Sequence, residues 1–253
     1  MTAIKVQKFD EIQEPDVRQR LKVNDQEVKN YLNEKMEYIL NHRAVEHPLL
    51  NYYRKNKFTK EQEKKFYLEC WYYFQYEPFY ITSMAVNTRD YNILREVVLN
   101  VYDEVGGKVT HETLFRQQIN ELGISDEEID NYKCLPTTTA INEGAMKLYG
   151  EPPIEKSLGA LYADETMSAV LATQLNDGLE NQGYDKNVRK HWLMHLNVEI
   201  GHSNNAFNAI APYVIHQQGR ELFEAGINKY LELLEAYWDG VDSIVRGEKV
   251  ATN

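Results

Sequence analysis

Cysteine is nearly absent. Cys70 and Cys134 are the two in 253 residues, and they stand at no metal or redox spacing. Such scarcity suits a reducing cytoplasm. Proline is scarce as well, at seven, and turn clusters are few, which favours long helices over many short strands. No apolar run reaches the roughly 20 residues that a spanning helix needs, so a membrane partner is not expected. The opening stretch MTAIKVQKFDEIQEPDVRQR has no apolar core, so it does not read as a secretory signal, and the chain is expected to be cytoplasmic. Basic residues are outnumbered, 28 against 39 acidic ones, for a net charge of −11. That acidity repels phosphate backbones and argues against a nucleic-acid partner.

What is present is apolar and aromatic material in a helical rhythm. Hydrophobic residues make up 43% and tyrosine alone numbers 18. After a polar arm over 1–23, one domain is expected over 24–253. Asn24 caps a helix whose apolar positions, Val28, Tyr31, Leu32, Met36 and Leu40, recur at threes and fours. Thr59-Lys60-Glu61-Gln62 and Ser125-Asp126-Glu127-Glu128 are capping boxes, in which hydroxyl and N3 side chain satisfy each other's orphan N–H groups. The first opens a helix that bends or breaks near Pro78. Asp90 starts another, ending at Gly106-Gly107, and Thr110 caps the next, which Gly123 stops. Pro136-Thr137 opens a helix ending at Gly150. Long segments then cover about 154–182 and 186–217, and a last helix covers about 219–246. No repeat, low-complexity tract or strand is expected. The fold class is all-α, a single-domain bundle.

The chemistry concentrates in His191-Trp192-Leu193-Met194-His195-Leu196-Asn197-Val198-Glu199-Ile200-Gly201-His202. At 3.6 residues per turn, positions i, i+4 and i+7 lie within roughly 60° of one another, so His195, Glu199 and His202 share one stripe. Two imidazoles and a carboxylate are donors that suit iron, manganese or zinc. A solvated polar face is the bland reading of the same stripe. His191, one turn earlier, reads either as a partner behind the donors or, more often for such a residue, as surface, and stays outside the candidate set. One helix supplies three donors and two metals need about six, so other helices must add carboxylates. Glu165, among Leu161, Tyr162, Ser168 and Ala169, is a candidate, with Asp164 as its rival. Glu104 is another, with Asp103 as its rival, and the break at Gly106-Gly107 allows Glu104 and His111 to turn toward one centre. Each acid taken singly reads first as an ordinary half-buried salt bridge.

The order Asp103-Glu104, His111, then GALYADE with Glu165, then His195-x3-Glu199-x2-His202 resembles the haem-oxygenase-like di-iron oxidases and oxygenases. That superfamily shares its fold with thiaminase-II and pyrroloquinoline quinone synthase. The resemblance covers roughly 40–240 and implies a haem-oxygenase-like bundle of about seven core helices. It implies two iron ions with O2 as co-substrate, held by Glu104, His111, Glu165, His195, Glu199 and His202. How these divide between the irons stays open. Glu199 stands where the family commonly has Asp, one methylene shorter, so its denticity can differ. The resemblance further implies oxidation of a small amine, amino acid or fatty acid through a peroxo-diferric stage, an external reductant and a homodimer.

Two other classes compete. A metal-free hydrolase or transferase of the thiaminase-II kind needs a cysteine nucleophile, but Cys134 precedes Leu-Pro, where that family places its cysteine after them. A non-catalytic helical binding protein is the third reading. A haem ligand at His42 or His47 leaves the carboxylates unexplained. The aromatics Tyr67, Trp71, Tyr72, Phe74, Tyr76, Phe79 and Tyr80 read mostly as core, with a share in a pocket beside the metals. Arg89, Arg116 and Lys133 are candidate anchors for a substrate carboxylate.

Overall fold

The computed structural model describes residues 25–198 and 209–247. Among these residues the regular structure is helical and no strand occurs. The helices are α1 (Asp25–Leu40), α2 (Pro48–Lys55), α3 (Lys60–Phe74), α4 (Glu77–Asn87), α5 (Tyr91–Val105) and α6 (His111–Glu121). They continue as α7 (Asp126–Asn131), α8 (Pro136–Gly150), α9 (Ile154–Gln182), α10 (Lys190–Val198) and α11 (Gln217–Val245), with a 3-10 turn at Ala211–Tyr213 between the last two. No described helix is long and apolar enough to cross a membrane.

Local chemistry sets most boundaries. The Thr59 hydroxyl accepts from the Gln62 N–H at 3.2 Å while the Gln62 side chain accepts from the Thr59 N–H at 2.9 Å. Ser125 and Glu128 repeat the arrangement for α7. Asp90 and Thr110 cap α5 and α6 through the N–H groups of Asn92 and Thr113. Each such cap stabilises its helix by about 1 kcal/mol. Gly123 ends α6 at φ 92°, a left-handed conformation that a Cβ disfavours. The α3–α4 path breaks at Gln75-Tyr76, and Pro78 sits in the first turn of α4, where its missing N–H costs nothing.

The segment expected to be one long helix over 186–217 is different. The Asp185 carboxylate accepts from the N–H groups of Asn187 and Val188, holding a turn there, and α10 begins only at Lys190. Farther on, Pro212 lies in the 3-10 turn, which separates this segment from α11.

Helix α9 runs through the middle, against α11 along much of its length and against α2, α8 and α10 elsewhere. The α9–α11 crossing is nearly backbone on backbone. A Cβ on Gly159 would lie 2.0 Å from the Phe223 carbonyl oxygen, and one on Gly226 would lie 2.0 Å from that of Lys156. This reciprocal glycine pair fixes α9, whose next two turns carry Asp164 and Glu165.

The tyrosine surplus goes largely inside. Tyr53, Tyr67, Tyr73, Tyr80, Tyr149, Tyr230 and Tyr237 are all buried. Several satisfy their hydroxyls on one another: Tyr53 with Tyr67 at 3.1 Å, and Tyr73 and Tyr80 with Tyr230 at 3.0 and 3.2 Å. Buried phenols thereby keep their area without leaving a polar tip unpaired. Tyr76 and Phe79, by contrast, point outward.

Gly159→Ala is expected to lower the unfolding free energy by about 2 kcal/mol or more, since no flexible side chain can yield to the new methyl group. Urea denaturation of the two proteins measures it; equal midpoints would mean that the α9–α11 contact is looser than described.

Candidate metal centre

Glu104 occupies the last turn of α5, and His111 is the first residue of α6. The short connection through Gly106-Gly107, with Thr110 as the cap, folds the two helices back so that Glu104 Oε1 and His111 Nδ1 are 2.7 Å apart. From the opposite side α10 supplies His195, whose ring centroid is 4.6 Å from that of His111. Glu104, His111 and His195 each offer a ligand atom, and these atoms all lie within 4.8 Å of one another. Donors about 2.1 Å from one ion stand roughly 3 Å apart at right angles and roughly 4 Å apart when opposite. The trio therefore fits an ion after a small rotation of one side chain, and one carboxylate with two imidazoles suits iron.

His195 is oriented for that purpose. Its Nδ1 donates to the backbone carbonyl of His191 at 2.9 Å. A carbonyl only accepts, so Nδ1 carries the proton and Nε2 presents a bare lone pair. Burial, and then the neighbouring His111, hold the His195 pKa below its ordinary value. Neutral imidazole is the ligating form.

On α9 the two adjacent acids differ. The Asp164 carboxylate accepts from the Tyr80 and Tyr149 hydroxyls at 3.2 and 3.1 Å, and Tyr230 hydrogen-bonds to it as well. Both acids line a chamber of about 40 Å³ together with Asp103, Glu104, His111 and His195, Asp164 with its carboxylate held by the phenols. Glu199 and His202 lie outside the described residues.

A second chamber of about 80 Å³ adjoins the first and is lined by the same trio. Its lining also includes Phe74, Phe115, Leu171, Ala172, His191 and Trp192, and the acids Glu77, Glu112 and Asp164. Trp192 is anchored by Gln118, whose amide, oriented to satisfy both neighbours, accepts from Trp192 Nε1 at 3.0 Å and donates to the Val188 carbonyl at 3.1 Å. No lysine or arginine is among the described residues lining either chamber. None of Arg89, Arg116 and Lys133 lines them. Arg116 pairs with Asp126 and Asp130 and stacks on Trp71.

Sequence reasoning missed Glu77, Tyr73 and His191. Glu77 begins α4, so the break near Pro78 was its only signal; the direction in which the chain turns there is a tertiary matter. His191 is not a surface residue. It is 5% exposed, because Phe115 of α6 stacks on its ring at 4.7 Å. The other sequence candidates lie elsewhere. Cys134 lines neither chamber; its thiol touches the Thr139 hydroxyl, and burial raises its pKa, the opposite of an activated nucleophile. His47 accepts from the Leu49 N–H at the start of α2 and sits 3.2 Å from Asp239.

An all-helical bundle with a histidine–carboxylate cluster beside two adjoining chambers has the frame of a metalloprotein. Residues 64–238 match the family described as iron-containing redox enzymes, and the chain belongs to that family. It is an oxidoreductase, with iron as its metal. It is 52% identical over 237 residues to a 4-chloro-allylglycine synthase of Streptantibioticus cattleyicolor, covering 94% of this chain and 92% of that one. A 4-aminobenzoate synthase of Chlamydia pneumoniae is 23% identical over 202 residues, covering 79% and 88%. Among solved structures, a CADD-like protein of unknown function from Nostoc punctiforme superposes with a TM-score of 0.70 at 18% identity, over 87% of this chain and 99% of that one. A TenA homologue from P. horikoshii superposes with a TM-score of 0.62, also at 18% identity, over 85% and 97%. These superpositions bear out the haem-oxygenase-like fold.

His195→Ala and Glu104→Ala are each expected to weaken ferrous iron binding at least about tenfold, as loss of a donor does, while Cys134→Ser leaves it unchanged. Anaerobic titration with iron counting checks this, and an unaltered isotherm for both alanine variants would remove the trio as ligands. A second expectation concerns pH. Burial raises the Asp164 pKa from 3.8 to about 7, Glu165 pushes the same way, and the tyrosine hydrogen bonds pull it down. The folded pKa lies above the unfolded one, so this carboxyl contributes stability at low pH that is lost as pH rises through about 7. In metal-free protein, Asp164→Asn should therefore shrink the fall in melting temperature between pH 5 and pH 8. An identical fall in both proteins would mean that Asp164 is already ionised across the range.

Proposed function

We propose that this chain is a di-iron, O2-dependent oxidase or oxygenase of a small amino acid, with Glu104, His111, Glu165, His195, Glu199 and His202 as the ligand set. The convergence of Glu104, His111 and His195 beside two adjoining chambers, with Glu165 facing one of them, carries the reading. One ion suits the trio, and the chamber lined by Asp103 and Glu165 offers carboxylate donors for a second. Iron bound there supplies Lewis acidity and electrons to O2. The protein's own residues do the rest. Phe74, Phe115, Leu171 and Trp192 exclude water from one side of the donors, which strengthens every electrostatic interaction there. Glu77 and Glu112 add carboxylates to the same lining, Glu112 with Arg116 3.9 Å away.

That charge favours a substrate with an ammonium group over one that is only a carboxylic acid, which makes an amino acid or amine a better fit than a fatty acid. The relatives support the choice. The Streptantibioticus enzyme is named for forming a chlorinated amino acid with a carbon–carbon double bond, and the Chlamydia one for an aromatic amino acid. A double bond is what a two-electron oxidation of a saturated side chain leaves. We place this chain's reaction in the same class, the oxidative remodelling of an aliphatic amino acid. An external reductant, a homodimeric state and a cytoplasmic location belong to the same proposal.

The test is to load the apoprotein anaerobically with ferrous iron and mix it with O2 in the presence of aliphatic and basic amino acids. Expected are about two irons per chain, a transient visible band as the sign of the peroxo-bridged stage, and an unsaturated or cleaved amino-acid product by mass spectrometry. His195→Ala and Glu165→Ala should show none of these. Iron uptake without O2 consumption under any of these conditions would sink the proposal.

A further inference from the structure

His191 is a buried, hydrogen-bond-capable ring beside the donor cluster that the ligand set does not use. Its face lies on Phe115 with ring planes 17° apart, and its edge meets Trp192 at a centroid distance of 4.4 Å. Its ring centroid lies 4.6 Å from that of His195 and 6.3 Å from that of His111. Nδ1 is fully buried and meets no hydrogen-bond partner. The ring nonetheless lines the larger chamber. With Nδ1 enclosed, the ring atoms left to reach the chamber are those of the opposite edge, Nε2 and its carbon neighbours.

The tautomer follows from cost. A neutral imidazole has one N–H and one lone pair. Buried donors without an acceptor are rarer in proteins than under-satisfied acceptors. The bare lone pair therefore belongs on Nδ1 and the proton on Nε2, which makes His191 a donor into the chamber. Its aromatic and aliphatic neighbours in the lining supply none, and the other donors there are on Tyr73, Gln75 and Ser168. Phe74, Phe115 and Leu171 have no polar hydrogen, and the indole N–H of Trp192 is committed to Gln118. We propose that His191 is a positioning residue that donates a hydrogen bond through Nε2–H to a small oxygen-bearing or anionic ligand bound at the metal centre. A ligand of two or three atoms on an ion held by His111 and His195 spans the gap that the ring distances leave. The backbone of the same residue also orients His195, so one turn of α10 would set both a metal donor and the group facing what the metal binds.

The inference rests on the iron-centre reading, and the experiment separates the two. Wild type, His191→Phe and His191→Gln are loaded with iron, oxidised and titrated with azide, following the ligand-to-metal absorption band. Phenylalanine keeps the stacking on Phe115 and removes the donor, whereas glutamine restores an N–H near the position of Nε2. Iron per chain and melting temperature are measured for all three. The expected result is equal iron content, azide binding weakened roughly tenfold in His191→Phe, and recovery to within about threefold of wild type in His191→Gln. A purely packing role would move the melting temperature and leave the azide affinity alone; equal affinities at equal iron content overturn the proposal. Loss of iron in His191→Phe also overturns it, because His191 would then belong to the ligand set. The absence of an azide band in iron-loaded wild type overturns it as well. If wild type takes up no iron, the iron-centre reading fails, and this proposal fails with it.

Discussion

A carboxylate inside a helical bundle persists only where something compensates its charge. Asp164 and Glu165 stand side by side on α9 and meet this constraint in different ways. Asp164 is surrounded by the hydroxyls of Tyr80, Tyr149 and Tyr230, which are themselves buried, and its pKa is raised to about 7. Glu165 faces the chamber that Glu104, His111 and His195 share. Rotation by one residue along a helix, about 100°, is enough to send neighbours into these two environments. Asp164 also lines that chamber, but phenol hydrogen bonds hold its carboxylate, which makes Glu165 the stronger candidate donor of the two.

The remaining architecture holds this arrangement in place. The α9–α11 contact through Gly159 and Gly226 sets where α9 lies, and therefore where Glu165 points. Two of the candidate donors sit at helix ends rather than helix middles: Glu104 closes α5 and His111 opens α6, and Glu77 of the chamber lining opens α4 at the break before Pro78. Ends of helices are where short connections can redirect a side chain by a large angle within a few residues, so three breaks bring residues from distinct helices to one point.

The lining of the larger chamber combines two kinds of residue. Aromatic side chains pack around His191, with Phe115 stacked on its ring. Glu77, Glu112 and Asp164 add carboxylates, the kind of group that favours a bound cation, and Arg116 lies 3.9 Å from Glu112. This combination agrees with a family of iron-containing redox enzymes and with relatives named for making amino acids, and it leaves no place in the lining for the anchors Arg89, Arg116 and Lys133.

The helices were readable in the sequence because their signals are local. Capping boxes at Thr59 and Ser125, caps at Asp90 and Thr110, and stops at Gly123 and Pro78 act over three or four residues, and α9 falls on the span expected for it. The segment after Asp185 was misread because apolar periodicity continues across a turn that one carboxylate's hydrogen bonds hold. The pairing of Glu104 with His111 was legible for the same local reason, since only six residues separate them. What the sequence could not decide was which polar residues are buried. His191 looked like surface because its cover, Phe115, comes from α6, some 75 residues earlier in the chain. Asp164 and Glu165 were indistinguishable until Tyr80, Tyr149 and Tyr230 arrived from α4, α8 and α11. Composition and spacing by themselves determined the helical class and the residue types of the candidate centre, whereas burial and orientation depend on packing between distant segments, which only the tertiary structure supplies.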